Sequence, residues 1–275
     1  MQNVSERYQT SAHPIRILQF GEGNFLRAFA DYAIDAANEE RNFDAGIAIV
    51  MPRAGKSDRF SKQHNIYTVC LRGQQDGAVY TENRVITSVQ TVLSARNEFD
   101  AVLGLAHEEQ LEFVISNTTE AGIVFDESDS FTDIPPVTFP AKLTRILYER
   151  YTYYEGDTHK GLVMLPTELN DHNGELLRSC VQQYAACWQL GEGFCQWLDA
   201  SCSFVDTLVD RIVTGYPSDT IDSLQEELGY EDQLLVQAEP FSLWVIGSPE
   251  LKDRLPLDSS RFHVEFTDQI QSFKE

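Results

Sequence analysis

Gly21 and Gly23, separated by Glu22, stand at a junction in the chain. Four mostly apolar residues, Ile15 to Leu18 with Arg16 among them, run through Gln19 and Phe20 into the glycines, and an amphipathic run from Asn24 to about Asn38 follows at once. The order reads as strand, tight turn, helix. Gly21 permits a turn that a Cβ would hinder, Gly23 lets a pyrophosphate approach the backbone, and the N–H groups of the new helix face the anion. This is the opening of a dinucleotide-binding unit. The third glycine of G-x-G-x-x-G is absent, its place taken by Leu26, so the glycines alone fit an ordinary strand-to-helix turn equally well. Arg27 lies in the first helical turn, where a cation opposes the helix dipole unless an anion is near; a solvated Arg27 is the alternative.

Two further clusters could do chemistry. Asn117–Gly122, with Thr118 and Glu120, follows the apolar run Leu111–Ser116, and Pro166–Gly174 follows Gly161–Leu165. Polar groups at the carboxyl ends of parallel strands are where open α/β sheets bind ligands, although Asn and Thr also cap helices. In the second cluster Glu168, Asn170, Asp171, His172 and Asn173 are candidate ligand groups. A stretch from Phe204 to Gly215 embeds Asp206, Asp210 and Arg211, either as a site-lining ion pair or as a solvated one. Cys180, Cys187, Cys195 and Cys202 recur at spacings of seven, eight and seven. That pattern suits small core residues on a helix face, and without a C-x-x-C pair it gives no metal knuckle.

The elements that must carry these groups alternate strand and helix. Gly46–Met51 (GIAIVM) is suited to a buried parallel strand. A NAD-binding unit usually carries Asp or Glu at its end for the adenosine ribose. Pro52-Arg53 stands there instead, with Lys56 shortly after, so that Arg53 and Lys56 either meet a 2′-phosphate or form a plain basic loop. Ile66–Arg72 and Ala78–Val89 alternate around Gly73 and Gly77 as an inserted hairpin. Helices are expected near Asn97–His107, over Pro140–Tyr151, as two elements from Glu175 to about Ala200, and over Asp219–Leu228 with Gly229 to end it. Phe241–Gly247 and Phe262–Thr267 read as late strands. The expected fold is α/β, a Rossmann-like doubly wound and mostly parallel sheet with a hairpin insertion and added late strands. Residues 1–14 read as a flexible leader and 15–275 as the nucleotide-binding domain.

The formal charge of −22, with 43 acidic against 21 basic residues, argues against a nucleic-acid or anionic-membrane surface. No apolar run approaches twenty residues and no signal-type start is present, so a cytoplasmic chain is expected. Five cysteines in that setting are expected as free thiols.

Together the motifs resemble the mannitol dehydrogenase family of polyol-specific long-chain dehydrogenases, with its uronate branch fitting best. The resemblance is carried by RILQFGEGNFLRAF at 16–29, SNTTEAGI at 116–123, PAKLTRILYER at 140–150, PTELNDHNGELLR at 166–178 and LVDRIVTGYP at 208–217. It implies a Rossmann-like domain that binds NAD, a mostly helical C-terminal domain as its packing partner, and metal-independent hydride transfer between NADH and a keto sugar acid. It also implies that Gly21, Gly23, Asn24, Phe25 and Arg27 line the cofactor, within a segment that includes Gln19, Phe20, Glu22 and Leu26. Thr118, Glu120 and Asp210 would sit near the nicotinamide, with Glu168, Asn170 and Asn173 on the substrate side. Mannitol-type members place an oxygen-binding asparagine where Leu169 stands. Members often have Asn before V-D-R-I, where this chain has Asp206. The family's acid/base lysine lies in a K-x-x-x-x-N-x-x-H segment, and neither Lys160, Lys252 nor Lys274 has that spacing. The catalytic segment is therefore expected to be missing from this chain.

Overall fold

Strands that are covered on both faces must be apolar throughout, and the strongest apolar runs of this sequence form one parallel sheet. A computed structural model describes residues 1–52, 58–75, 77–119 and 121–273. Its first part holds α1 (Val4–Arg7), β1 (Ile15–Phe20), α2 (Asn24–Ala28), α3 (Ala30–Arg41), β2 (Gly46–Met51) and α4 (Asp58–Lys62). Then come β3 (Tyr67–Gln75), β4 (Ala78–Ile86), β5 (Val89–Ser94), α5 (Phe99–Gly104), β6 (Phe113–Ser116), α6 (Phe139–Tyr153) and β7 (Val163–Pro166). The remainder is α7 (Asn173–Cys187), α8 (Glu192–Ser201), β8 (Ser203–Phe204), β9 (Thr207–Asp210), β10 (Val213–Gly215), α9 (Ile221–Leu228), β11 (Val236–Ala238), β12 (Leu243–Ile246) and β13 (Val264–Phe266).

The main sheet runs β5-β2-β1-β6-β7-β8, and every pairing in it is parallel. In order of the strands within this sheet that is 3-2-1-4-5-6, the doubly wound arrangement. Alternate residues divide between two cores. Ile17, Ile47, Ile49, Ile115 and Leu165 pack with Phe29, Tyr32 and Trp244. Leu18, Val50, Val114 and Met164 pack with Leu143, Leu147, Val181 and Phe194 on the other side. The topological switch falls between β1 and β6, so the carboxyl ends of these two strands diverge into a crevice.

The expected hairpin is β3 with β4, in register from Tyr67 opposite Ile86 to Gln75 opposite Ala78. Its second arm stops earlier than the apolar pattern suggests. Asp35 accepts from the Thr87 N–H at 2.9 Å, and the Ser88 carbonyl accepts from Ile47. The chain therefore leaves the hairpin there, and Val89–Ser94 becomes the third strand of the main sheet, beside β2. The late strands exist too: β11 adds to β3, β10 adds to β11, and β12 is flanked by β9 and β13.

Three expectations are corrected. Residues 1–14 are not a loose leader. Val4 is fully buried against Ile66 and Tyr230, and the Val4 N–H donates to Glu231 O at 2.9 Å. The helix after the glycines does not run unbroken to Asn38 but breaks at Phe29 (φ −116°, ψ −80°). The Ala28 carbonyl, which a continuous helix would pair with residue 32, instead accepts from Arg211 Nη1 at 2.7 Å. The cysteines do not share one buried face: Cys180 is buried and Cys187 exposed on α7, while Cys195 and Cys202 are half-buried in and just after α8. No helix among the described residues is long and apolar enough to cross a membrane.

Candidate functional site

The site is the crevice where β1, β6 and β7 end. Gly21 has φ +118°, a value that disfavours any side chain. A Cβ there would also lie 3.2 Å from both Asn117 O and Leu26 Cδ1. Gly23 is different: it is exposed, and a Cβ would meet nothing within 4 Å. The first glycine is thus required by the turn, while the second leaves open space above the backbone. Among the described residues no backbone acceptor faces the N–H groups of Glu22, Gly23, Asn24 or Phe25. α2 has only five residues, so these free N–H groups matter more than any helix dipole.

The carbonyl side of the same turn is fully engaged. Gln19 Nε2 donates to Gly21 O at 3.1 Å, and Arg27 Nε donates to Glu22 O at 3.1 Å. Arg27 Nη2 donates to Asn24 Oδ1 at 2.6 Å, and Nη1 donates to Leu234 O. Arg27 is 6% exposed and lies over the Tyr67 ring. Its guanidinium therefore grips the turn from behind and does not face the crevice. Gln19, Phe20 and Leu26 are also buried, Phe20 against Phe139. Of the candidate segment, Gly23 and Asn24 are exposed, Glu22 and Phe25 are half-buried, and Phe25 lines the crevice.

The facing shelf comes from the other two strand ends. Glu168, 2% exposed, accepts from Ser116 Oγ at 3.0 Å and from both the N–H and Oγ1 of Thr118 at 2.9 Å. Burial pushes its carboxyl up from the usual range, while these donors pull it back. Asn117 Nδ2 donates to Thr167 O and Oγ1, both at 3.0 Å, locking the two strand ends side by side. The next residue, Thr119, has φ 99°, an unusual value for a β-branched residue and a mark of strain at the crevice wall.

Beyond this shelf the walls are Leu169, Val209, Asp210 and Arg211, enclosing a cleft of about 650 Å³. Asp210 is exposed at its edge. Arg211 is buried, and it donates to Ala28 O, Glu239 O and Pro240 O. No ion pair joins Asp210 to Arg211 among the described contacts, and burial pushes the Arg211 guanidinium down to about 10.

Asn173 is not a ligand group. It is 1% exposed, and its side chain donates to Pro166 O, Glu168 O and Thr207 O and accepts from the Thr207 N–H. It rivets β7 to β9. Asn170 is half-buried in the same loop, and Asp171 and His172 are exposed. His172 faces Asp206, whose other oxygen accepts from the Gly174 and Glu175 N–H groups and so caps α7 from outside. Glu120, Arg53, Lys56 and Lys274 lie outside the described residues. The roles of Asn117 and Thr167 were legible only as members of polar clusters. Asp31 and Tyr67, which sit behind the glycine turn, carried no sequence signal, because an acidic residue early in a helix is ordinary.

Comparison with known proteins agrees with this architecture. The family model for the mannitol dehydrogenase Rossmann domain matches residues 15–259. An altronate oxidoreductase of Yersinia enterocolitica is 47% identical over 279 residues, covering all of this chain and 58% of the relative. One from Klebsiella pneumoniae (strain 342) is 46% identical with the same coverage. The chain thus spans a little over half the length of these relatives. Among solved structures, Pseudomonas fluorescens mannitol 2-dehydrogenase, determined as a ternary complex with NAD and D-mannitol, superimposes with a TM-score of 0.78 at 24% identity, covering 97% of this chain and 56% of the other. A substrate-free D-sorbitol dehydrogenase superimposes with a TM-score of 0.75 at 20% identity, covering 97% and 57%. The motif order, the strand order and the match to residues 15–259 agree, and the chain belongs to the mannitol dehydrogenase family as its Rossmann domain.

Proposed function

We propose that the chain is the NAD-binding portion of an oxidoreductase that reduces a keto-uronate, D-tagaturonate to D-altronate, in the manner of the altronate oxidoreductases it resembles. The observation that carries this is the turn at the switch point, which has its carbonyls engaged, its N–H groups without a backbone acceptor among the described residues, and open space above Gly23. Gly21, Gly23 and Asn24 would hold the pyrophosphate and Phe25 would pack beside it. Thr118 and Asp210 would flank the nicotinamide, with Glu120 as a further neighbour, and Glu168 with Asn170 would border the substrate. Bound in its reduced form, NADH, the cofactor would supply the hydride and leave as NAD+. The chain's own part is to orient that donor and to exclude water from one side of it.

Carbonyl reduction also needs a proton donor and a partner for the developing oxyanion. The 275 residues contain no lysine with an Asn five and a His eight residues later. We place that group in a helical domain packing over the cleft, whose wall residue Leu169 is 70% exposed. Leu169 at the position of the mannitol-type asparagine counts against mannitol as the substrate, and a fructuronate-type or other ketose reductase is the sister alternative.

Titration with NADH followed by addition of D-tagaturonate tests the proposal. The expected result is bound NADH with no fall in its absorbance. Consumption of NADH by this chain alone overturns the placement of the proton donor. NADPH binding tighter than NADH overturns the cofactor choice and points to Arg53 and Lys56. A second reading, a nucleotide-binding module without catalysis, is favoured by the missing lysine segment. The sequence of the whole protein, with or without that segment, separates the two.

A further inference from the structure

The glycine turn rests on a buried polar cluster that the nucleotide-binding reading alone does not explain. Four side chains from four elements meet there. Gln19 is next to last in β1, Arg27 lies in α2, Asp31 in α3 and Tyr67 opens β3. Asp31 is fully buried and Tyr67 is fully buried. The Tyr67 hydroxyl donates to Asp31 Oδ2, and the Arg27 guanidinium lies 5.2 Å from the centre of the Tyr67 ring. Among the described residues the second Asp31 oxygen has no hydrogen-bond partner, nor does Gln19 Oε1. Among the described residues Asp31 makes no ion pair at contact distance, yet its carboxyl, with those of Asp232 and Glu22, opposes the burial that pulls the Arg27 guanidinium down. Asp35 is the other acid that faces Asp31.

Keeping an arginine and a carboxyl this deep is expensive unless their geometry is used. What the geometry does is visible at the turn. Arg27 holds Glu22 O and Gln19 holds Gly21 O, so two successive backbone carbonyls point inward, and Arg27 also fixes the Asn24 side chain beside them. A peptide whose carbonyl points in directs its N–H outward. The cluster therefore orients the turn's donors before any ligand arrives, which is the electrostatic pre-organisation that makes an anion site tight.

We propose that Arg27, counterbalanced by Asp31 through the Tyr67 hydroxyl, is the positioning residue of the dinucleotide turn and acts on the pyrophosphate only through the backbone of residues 21–24. The inference rests on the nucleotide-binding reading above and deepens it. It replaces the simpler idea that Arg27 meets the phosphate directly. A lysine at 27 keeps the charge but lacks the fork that spans Glu22 O, Asn24 Oδ1 and Leu234 O together.

The test uses the 275-residue chain and its Arg27→Lys, Asp31→Asn and Tyr67→Phe variants. NADH and AMP are the probes, AMP because it lacks the pyrophosphate, and the unfolding temperature is the control for a merely structural effect. Arg27→Lys is expected to weaken NADH about tenfold or more while AMP stays within about twofold, and Asp31→Asn and Tyr67→Phe are expected to weaken NADH about threefold in the same selective way. Direct phosphate contact predicts the opposite for Asp31→Asn, because removing a nearby negative charge would then leave NADH binding unchanged or tighter. Unchanged NADH affinity in Tyr67→Phe, or equal loss of NADH and AMP with a matching fall in unfolding temperature, overturns the inference. If AMP binds too weakly to compare, loss of NADH at an unchanged unfolding temperature supports it. Should Arg27→Lys not fold, Tyr67→Phe decides alone, since it removes a single hydroxyl. A parent chain that binds no NADH overturns the nucleotide-binding reading itself, a failure seen before any variant is made.

Discussion

The two sides of the crevice are held by opposite chemistry. The turn after β1 is gripped by a buried cation and an amide that take its carbonyls and leave its N–H groups free. The shelf after β6 and β7 is gripped by a buried carboxyl, Glu168, that takes the Thr118 N–H and two hydroxyls. One wall is thus left rich in outward donors and the other has its donors consumed. The same residue types, scattered along a polar loop, would give neither. Polarity at a binding wall is set by which half of each peptide is already occupied from behind.

Breaking the shelf has the largest expected effect. Glu168→Ala strands the Thr118 N–H and opens a hole in a buried network, at a cost of about 3 kcal/mol in denaturant unfolding. A loss below about 1 kcal/mol would show that the shelf holds without its anion.

The turn side is sharpened by pH. Burial pushes the Asp31 carboxyl from 3.8 up to about 7, with the Tyr67 hydroxyl and Arg27 opposing the shift. A folded-state value above the unfolded one means that the folded chain holds the proton more tightly. The associated stability is complete below the unfolded value and is lost as pH rises through about 7. Between pH 5 and pH 8 the wild-type chain should therefore lose on the order of 2 kcal/mol relative to Asp31→Asn. Parallel pH profiles of unfolding temperature for the two proteins would sink this assignment.

Smaller effects separate the two glycines. Gly21→Ala forces a side chain into φ +118° and against Asn117 O, which should cost about 1–2 kcal/mol. Gly23→Ala meets open space, so its stability should stay within about 0.5 kcal/mol of the parent while NADH binding weakens. Equal destabilisation by the two would erase the distinction between a turn glycine and a ligand glycine.

Much of this was legible in the residues. The runs GIAIVM and FVIS are apolar because parallel strands are covered twice, and the glycines mark the turn because Gly21 needs a positive φ. The polar clusters at 117–122 and 166–174 fell where strands end, so the crevice was predictable as a place. Which members face it was not. Asn173 and Arg27 look like ligand groups by type, yet both are spent on backbone carbonyls far away in sequence, at Thr207 and Leu234. The fourteen-residue start reads as polar and loose, yet the docking of Val4 beside Tyr230 and the hydrogen bonds of Arg7, Thr10 and Ser11 to Leu228, His64 and Thr87 order it. Partners separated by a hundred residues or more leave no local pattern to read.

The break at Phe29 carries a consequence for how the protein is made. The carbonyl it frees is closed by Arg211, 183 residues onward, and the turn's own arginine closes on Leu234, 207 residues onward. The nucleotide turn is encoded at residues 21–24 but is clasped by residues about two hundred positions further on. During synthesis, strands β1, β2, β5 and β6 can pair while the turn between them still lacks both of its distant clasps. Competence to hold a nucleotide then arrives after the sheet, and a nascent or truncated chain that ends before Leu234 should show native-like parallel strands without NADH affinity. Nucleotide binding in this domain is a signal that the chain through Leu234 has folded onto the turn.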